Sequence, residues 1–184
     1  NRIPTPNNYN NTILKIISIV KDLEKEIENN LSIGICHPGS VDKTSGLIKN
    51  AHNSQWLNEK NIAQDLKKEI KNNVYSENDA NCFCLSESID GSASKYDSVF
   101  GVILGSGCGG GLVINKKIIT GLNGLSGEWS LNQMPETNVQ NLTSRPKLEF
   151  FNRIEGYLSG KSIENNFYSK FNEKLTAKEI FSNY

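Results

Sequence analysis

ILGSGCGGGLVI, residues 103–114, places five glycines among twelve residues, between two apolar runs. A glycine inside a regular element costs roughly 0.5–1 kcal/mol relative to alanine, so a cluster this dense indicates that the backbone has a specific task. Three tasks fit the pattern: a phosphate-binding loop, a tight turn, or the close approach of a ligand. The residues on either side decide among them.

Residues 105–110 fit the pattern G-x-G-x-x-G of dinucleotide-binding proteins. That motif needs a helix directly after the glycines, because the helix N-terminus receives the pyrophosphate. Here LVINKKIITG follows, which predicts a strand with a turn at 115–117, and no Gly-Lys-Ser/Thr closes a Walker A loop. Since residues 98–104 also predict a strand, the glycines lie in a strand-loop-strand hairpin. They form either a nest of backbone N–H groups for an anion or an ordinary glycine-rich hairpin.

Upstream of the hairpin, helical and strand-like segments alternate. This alternation predicts an α/β layer rather than a helical bundle. On the third helix, which begins at Asp79, we expect Ala80 and Cys84 to face the interior, with Phe83 as a further candidate. The segments are a helix from Asn11 to about Asn29 opened by an asparagine cap, a strand at 31–36, a helix at 62–71, a strand at 74–76 and the helix from Asp79.

The composition excludes several classes of protein. The 184 residues suit one domain or two small ones. Lys+Arg and Asp+Glu both number 20, so no global field attracts nucleic acid or an anionic membrane. No apolar stretch approaches the roughly 18 residues of a membrane span, and the first residues lack a signal-peptide layout. A cytoplasmic location is the simplest interpretation, with no nucleic-acid or membrane partner.

The cysteines do not predict a metal site. Cys36, Cys82, Cys84 and Cys108 lack paired ligand spacing. On a helix, Cys82 and Cys84 point about 200° apart. Free thiols in a reducing compartment are the expected state.

SENDANC, residues 76–82, places Asn78 and Asp79 where a strand meets a helix. A carboxylate at that point can project from the carboxyl edge of a sheet into a crevice. Asn and Asp are also common helix caps, so a purely structural role is the alternative. In the same way, Glu128 is either a functional acid or a surface acid, and Asn53 is either a ligand or part of an Asx turn.

Four motifs together, in their order and spacing, resemble the ROK family of bacterial sugar kinases. The opening RIPTPNNY and the segment NAHNSQWLN are most similar to the manno(fructo)kinase branch. The resemblance implies an α/β chain of the actin-like, hexokinase-type ATPase fold, with ribonuclease H-like lobes. The motifs are PGSVDKTSGLIKNAHNSQWLN at 38–58, SENDANCFCLSE at 76–87, VILGSGCGGGLVINKKIITGLNGLSGEW at 102–129 and IEGYLSG at 154–160.

The resemblance also implies domains and an extent. Residues 1–97 match the remainder of an N-terminal sugar-binding lobe, and residues 98–184 match the first part of a C-terminal lobe. The family's first phosphate loop, Asp-x-Gly-Gly-Thr, and its Gly-Gly-Gly adenosine site do not occur in this sequence. We therefore expect an internal portion of a longer kinase, inactive by itself and homodimeric when full-length.

The activity that the resemblance implies is ATP-dependent phosphorylation of the 6-hydroxyl of a hexose, with fructose or mannose preferred. Asp79 matches the general base, a role that suits an ionised carboxylate. ATP and Mg²⁺ are the implied cofactors, and the glycine stretch matches the second phosphate loop. The implied substrate-binding residues are Gly39, Asn53, Asn78, Glu128 and Glu155, and the implied ATP-binding residues are Gly105, Ser106, Gly107, Cys108, Gly109 and Gly110.

Two alternatives remain within the resemblance. One is an N-acetylglucosamine kinase or a glucokinase, since the same hydroxyl-binding groups serve all these sugars. The other is the sugar-binding module of a ROK-type transcriptional repressor with a degraded catalytic centre. Asp79 and the glycine stretch favour the enzyme.

The sequence departs from the family at its zinc site. The family has Glu-x-Gly-His where this chain has Glu128-Trp129-Ser130, so Ser130 replaces the histidine or the histidine is displaced. The family's Cys-x-Cys-Gly-x-x-Gly-Cys block is also absent, and RPKLEFFNRIEG stands in its place. We expect no structural zinc, and expect apolar packing by Phe150, Phe151 and Ile154 to hold that segment.

Overall fold

The structure is a computed structural model that describes residues 2–27, 31–135 and 153–183. The chain divides into two compact units: Asn1–Cys82 with Gly121–Leu125 form unit 1, and Phe83–Thr120 with Ser126–Tyr184 form unit 2. The division differs from the expected boundary at 97/98, because it falls inside a helix and returns Gly121–Leu125 to unit 1. The segment Gly121–Leu125 packs against unit 1: a Cβ placed on Gly124 would lie 3.3 Å from the Cβ of Ser40. The lobe boundary of the family stays a prediction.

Unit 1 is built on two parallel strands with helices around them. Strand β1 pairs with β4 in parallel, from Ile33 opposite Val74 to His37 opposite Asn78. Both predicted strands form. Strand β1 begins two residues later and ends one residue later than expected, and β4 ends two residues later than expected. The elements of unit 1 are α1 (Tyr9–Glu24), β1 (Ile33–His37), β2 (Ser40–Val41), β3 (Ile48–Lys49), a 3-10 helix (His52–Leu57), α2 (Ile62–Glu69), β4 (Val74–Asn78) and the first turn of α3 (Asp79–Ile89).

Helix α1 begins two residues earlier than expected. Asn8 is its cap, and the side chain of Asn8 accepts the N–H of Asn11 at 2.9 Å. Several asparagines precede the apolar stripe, so the sequence offers more than one cap. The helix ends at Glu24, and Asn29 lies outside the described residues. No helix in the described ranges is long and apolar enough to cross a bilayer.

The core of unit 1 lies where both helices meet the strands. Apolar side chains recur with helical spacing in α1 and α2, so each helix buries one face. Leu14 of α1 is 63% exposed and Leu23 is 51% exposed, so the buried face of α1 is narrower than its apolar residues predict. The buried residues are Ile17, Val20, Ile48, Ala51, Leu57, Ile62, Leu66, Ile70 and Val74.

Unit 2 contains the predicted hairpin. Strands β5 and β6 are antiparallel, from Ser98 opposite Ile114 to Leu104 opposite Cys108. The bounds predicted for the first strand are confirmed. The elements are the rest of α3, β5 (Ser98–Leu104), β6 (Cys108–Ile114), β7 (Lys117–Ile118), a 3-10 turn (Trp129–Leu131), α4 (Glu155–Leu158), α5 (Gly160–Phe171) and α6 (Ala177–Asn183).

The loop between β5 and β6 is shorter than the sequence predicts. Strand β6 begins at Cys108, so only Gly105–Gly107 connect the strands, and Gly109 and Gly110 pair with β5. The reason is tertiary packing. A Cβ on Gly110 would lie 2.7 Å from Cδ1 of Trp129 and 2.8 Å from the carbonyl oxygen of Gly127. The strand glycines therefore permit close approach of backbone and ring.

Helix α3 is confirmed from Asp79, with one change in its buried face. Ala80 is 7% exposed and Cys84 is 0% exposed, as predicted. Ser88 continues the same face four residues later and is also 0% exposed. Phe83 is wrong as an inward residue: it lies about 100° from Cys84 around the helix and is 41% exposed.

Candidate functional site

Asn78 and Asp79 stand at the junction of β4 and α3, and their roles differ. Oδ1 of Asn78 accepts the N–H of Asn81 at 3.0 Å, so Asn78 caps the helix. Its Nδ2 donates to the carbonyl of Gly39 at 3.0 Å and to Oδ1 of Asp79 at 3.1 Å. The capping alternative is therefore correct for Asn78. Its amide also connects the Gly39 loop to the carboxylate of Asp79.

Asp79 is the first residue of α3 and is exposed. Its Oδ1 accepts the N–H of Ala80 at 3.0 Å as well as the amide of Asn78. Within the described part of the chain, Oδ2 has no hydrogen-bond partner. One oxygen of the carboxylate is thus held in place while the other can accept a hydroxyl proton.

Gly39 has a backbone that only glycine suits. Its φ is +87°, and a Cβ there would lie 2.5 Å from the carbonyl oxygen of Lys49 and 2.9 Å from the backbone nitrogen of Ala51. Before it, Nδ1 of the buried His37 lies 2.9 Å from the carbonyl oxygen of Pro38. Gly39, whose carbonyl accepts the Asn78 amide, is therefore packed closely against Lys49 and Ala51, and His37 contacts the carbonyl of the preceding residue.

Asn53 is exposed in the 3-10 helix His52–Leu57. Among the described residues its side chain makes no hydrogen bond, so the Asx-turn alternative is not realised there. The structural asparagine of this segment is Asn58, whose Oδ1 accepts the N–H of the buried Ala51 at 2.9 Å. The segment NAHNSQWLN contains three asparagines, Asn50, Asn53 and Asn58, with no local sign of which one is structural.

The loop Gly105–Gly107 has fewer available N–H groups than its glycines suggest. The N–H of Gly105 donates to the carbonyl of Gly107 at 2.9 Å, and the N–H of Cys108 donates to Oε1 of Glu155 at 3.2 Å. In the described chain, the N–H groups of Ser106 and Gly107 have no partner. No residue from Gly105 to Gly110 has a positive φ, so the stretch does not form a nest of the αR-αL type.

Glu155, the first residue of α4, contacts this loop directly. Besides its hydrogen bond to Cys108, its Oε1 would lie 2.7 Å from a Cβ on Gly107. Burial, and then the charge of Glu155, raise the pKa of the Cys108 thiol. Glu155 therefore fixes the end of the loop, whatever else it binds.

The start of α5 also contacts the loop, which the sequence did not predict. Ser159 caps α5, and the N–H of Gly160 donates to the carbonyl of Gly105 at 2.8 Å. A Cβ on Gly160 would lie 2.9 Å from that carbonyl oxygen. The positive end of the α5 dipole thus lies beside Gly105. Leu-Ser-Gly before a helical run was the available signal.

Glu128 is half-buried and precedes the 3-10 turn that packs on β6. From that turn, Nε1 of Trp129 donates to the carbonyl of Gly109 at 2.8 Å, and Oγ of Ser130 donates to the carbonyl of Cys108 at 3.1 Å. Ser130 is 1% exposed and its hydroxyl is used, so it cannot replace a sugar-binding histidine. Counted along Glu-x-Gly-His from Glu128, Ser130 takes the glycine place and Leu131 the histidine place.

The described residues contain no group of three or more His, Cys, Asp or Glu side chains that could hold a metal ion. The absence of zinc stays a prediction. Phe150 and Phe151 lie outside the described residues, and Ile154 donates its N–H to the carbonyl of Asn132 at 3.0 Å. Mg²⁺ usually takes one or two carboxylates together with phosphate oxygens and waters, so the exposed carboxylate of Asp79 fits it.

The candidate residues form two groups, one in each unit. Unit 1 brings together Gly39, Asn78 and Asp79 through the amide of Asn78. Asn53 belongs to the same unit but makes none of these contacts. Unit 2 brings Glu155 to the loop by direct contact, and the turn after Glu128 holds the first residues of β6.

Comparison with known proteins places these features in a family. The sequence profile of the ROK family matches residues 1–184. The N-acetyl-D-glucosamine kinase of Pectobacterium atrosepticum is 33% identical over 189 residues, covering 100% of this chain and 62% of the relative. That of Escherichia coli O127:H6 is also 33% identical, over 193 residues, with the same shares. This chain thus spans 62% of the length of these curated relatives.

Solved structures show the same fold. The ROK hexokinase from Thermus thermophilus superposes with a TM-score of 0.80 at 22% identity, over 98% of this chain and 59% of that one. A ROK family glucokinase from Streptomyces griseus, in complex with glucose and AMPPNP, gives a TM-score of 0.70 at 23% identity, over 92% of this chain and 52% of that one. The fold is the actin-like, hexokinase-type ATPase fold that the sequence predicts, covered in part by this chain.

Proposed function

Because the chain belongs to the ROK family, we propose that it serves ATP-dependent phosphorylation of the 6-hydroxyl of a hexose. The observation that carries the proposal is the carboxylate of Asp79. It stands exposed at the start of α3, directly after the carboxyl end of β4, with Oδ1 held by two hydrogen bonds and Oδ2 without a partner among the described residues. Polar groups that act on substrates concentrate at this end of strands in α/β folds.

In this proposal Oδ2 of Asp79 accepts the proton of the sugar hydroxyl while the hydroxyl oxygen attacks the γ-phosphate of ATP. A general base contributes typically ~10²–10⁴-fold to a rate, provided that it lies within hydrogen-bond reach of the proton. Asn78 is the positioning residue, because its amide holds both Asp79 and the Gly39 loop. One lone pair of its Oδ1 stays available to a sugar hydroxyl.

The loop Gly105–Gly107 would bind ATP phosphate through the N–H groups of Ser106 and Gly107. The α5 N-terminus beside Gly105 supports this role, since its partial positive charge favours an anion. Cys108, Gly109 and Gly110 would act indirectly, as the strand that fixes the loop. Mg²⁺, when bound, supplies charge neutralisation at the phosphates.

N-acetyl-D-glucosamine is the first sugar to test, since the curated relatives reported above are named as kinases of that sugar. Fructose and mannose stay predictions from the sequence, and glucose is a further candidate. Carboxylates and amides bind hydroxyls directionally, so Glu128, Glu155 and Asn53 are the candidate sugar ligands. A cytoplasmic location, where ATP is available, fits this chemistry.

A coupled phosphorylation assay of the full-length protein tests the proposal. The four sugars are N-acetylglucosamine, glucose, mannose and fructose, each with ATP and Mg²⁺. We expect turnover with at least one of them, and expect Asp79→Asn to lower kcat by roughly 10²–10⁴-fold with a small change in KM.

Asp90→Asn is the matched control, since Asp90 is an exposed acid just beyond the end of α3. It should leave kcat unchanged. Undiminished activity of Asp79→Asn would remove the general-base assignment. Sugar binding by calorimetry without turnover of any sugar would favour a sugar-binding module instead.

A further inference from the structure

We propose that Cys36 and Cys82 form a peroxide-sensitive dithiol site, which closes to an intramolecular disulfide at the carboxyl edge of the β1–β4 pair. The site uses no residue of the proposed catalytic machinery. It therefore stands or falls separately from the kinase assignment.

Strand register places the first turn of α3 on the face of Cys36. Cys36 lies opposite Glu77 in the parallel pair, and residues opposite each other in a ladder project from the same face of a sheet. Oε1 of Glu77 accepts Nδ2 of Asn81 at 3.1 Å, so the first turn of α3 lies over that face. Cys82 directly follows Asn81. The backbone thus brings two cysteines that are 46 positions apart in the sequence to one place.

The two thiols interact there. Burial, and then a hydrogen bond with the thiol of Cys36, raise the pKa of Cys82 to about 12. Cys36 is exposed, whereas Cys82 is partly buried. The exposed thiol is therefore the one that an oxidant reaches first, and Cys82 lies beside it as the resolving cysteine, which reacts after it loses its proton.

The reaction balances with hydrogen peroxide as the oxidant. The sulfur of Cys36 attacks one peroxide oxygen and the O–O bond breaks, which gives a sulfenic acid and one water. Cys82 then loses its proton, its thiolate sulfur attacks the sulfur of Cys36, and the S–O bond breaks so that the sulfenic oxygen leaves as a second water that takes up this proton. Two electrons pass from the two sulfurs to the peroxide, and the S–S bond closes to roughly 2.05 Å.

The other cysteines are poorly placed to compete. Cys84 is 0% exposed, its Sγ donates to the carbonyl of Val99 at 3.7 Å, and it packs against Gly101. Cys108 belongs to unit 2, and its thiol pKa is raised by burial and by Glu155.

The disulfide would have a consequence for the proposed kinase, and this consequence rests on that function. Cys36 lies three residues before Gly39, and Cys82 lies on the helix that begins at Asp79. A covalent link between them moves the end of β1 relative to the first turn of α3. Since a displacement of ~1 Å at a reacting group can cost up to ~10²-fold, we expect roughly a tenfold loss of turnover or more.

Disulfide mapping tests the site itself. The full-length protein is treated with hydrogen peroxide, digested without reductant and analysed by mass spectrometry. We expect the peptide of Cys36 joined to the peptide of Cys82, two hydrogens lighter than their sum and separated by dithiothreitol. Cys36→Ser and Cys82→Ser should each abolish the linked species, and Cys84→Ala should keep it. A sulfinic acid on Cys36 beside an intact Cys82 thiol, or a link that uses another cysteine, overturns the proposal.

Turnover tests the consequence. The loss should be reversed by dithiothreitol in the unsubstituted protein and be absent in Cys36→Ser. Full turnover by the mapped disulfide form overturns the consequence. Absence of turnover in the reduced form counts against the proposed kinase function alone, because the disulfide map needs no activity.

Discussion

Asn78 is the residue on which the first group of site residues depends. Its side chain reaches the carbonyl of Gly39, the carboxylate of Asp79 and the N–H of Asn81. The sequence predicted that Asn78 and Asp79 matter, and left open whether they cap a helix or act on a substrate. Asn78 caps the helix, and its contact with Gly39 joins residues far apart in the sequence, so local sequence could not show it. The action of Asp79 on a substrate stays a proposal.

Gly39→Ala should destabilise unit 1. The new Cβ would meet the carbonyl of Lys49 at 2.5 Å and would impose a left-handed φ on alanine. Such strain costs about 1–3 kcal/mol. Urea denaturation followed by circular dichroism should show a lower midpoint with an unchanged slope.

Gly34→Ala is the matched control, because nothing lies within 4 Å of a Cβ on Gly34 and it lies on the adjacent strand β1. Its free energy of unfolding should stay within about 0.5 kcal/mol of that of the parent. Equal midpoints for the two variants would contradict the loop geometry.

At the scale of elements, a lysine joins the hairpin of unit 2 to the end of α3. Nζ of Lys116 donates to the carbonyls of Ser88, Ser94 and Tyr96. Lys116 adopts φ +61° beside Asn115 at φ +50°, so the tight β6–β7 turn presents the amine. A cation near the C-terminal end of a helix is favourable to its dipole.

Lys116→Met should therefore lower the free energy of unfolding by about 1–2 kcal/mol, a range reduced for the exposure of the amine. Chemical denaturation gives the value. Lys117→Met is the control, since Lys117 is the exposed neighbouring residue and no side-chain hydrogen bond of it occurs in the described structure. A larger loss of unfolding free energy in Lys117→Met than in Lys116→Met would contradict the stabilising role of the Lys116 hydrogen bonds.

The hairpin β2–β3 should show an acid-sensitive contribution to stability. A hydrogen bond from Lys49, followed by those of Ser45 and Thr44, lowers the pKa of Asp42. The unfolded chain keeps an ordinary Asp pKa of about 3.9. The stabilisation is fully present above that value and is lost as the pH falls below it toward the folded pKa.

The stability gap between the parent and Asp42→Asn should thus be constant from about pH 7 to pH 5 and shrink by about pH 3.5. Urea denaturation at each pH measures it. Asp90→Asn should show a smaller change. A gap that widens in acid would contradict the lowered pKa.

The sequence predicted element bounds correctly where local residue preferences decide them, and missed those that depend on contacts between distant residues. The β-branched run of β5 and the Asn-Asp junction before α3 gave the right starting residues, because local preferences and fold agree there. The start of β6 was missed, since glycine disfavours strands and the cause of its presence is the packing of Gly127 and Trp129. The contact of α5 with Gly105 was missed because it joins residues 55 positions apart.

At the scale of the whole molecule, the chain shows the family fold while departing from the family's zinc motifs. In place of the histidine of Glu-x-Gly-His it has Leu131, and the cysteine block does not occur. We expect stability that is independent of zinc. Exhaustive dialysis of the full-length protein against EDTA should change Tm by less than about 2 °C, whereas a lost structural zinc would lower it far more.

Elemental analysis completes that experiment. Less than stoichiometric zinc in the purified protein is the expected result. One tightly bound zinc per chain, together with a fall in Tm after chelation, would contradict it and would point to ligands outside the motif positions.

The close approach of Gly110 and Gly127 bears on how such a sequence can diverge. A Cβ on Gly127 would lie 2.1 Å from the carbonyl oxygen of Gly110, so both glycines are required by packing alone. A descendant that had lost catalysis would still need them in order to fold. The glycines therefore indicate the fold and not the activity. Under the proposed function, the carboxylate of Asp79 is the feature that separates an enzyme from a chain that only keeps this fold.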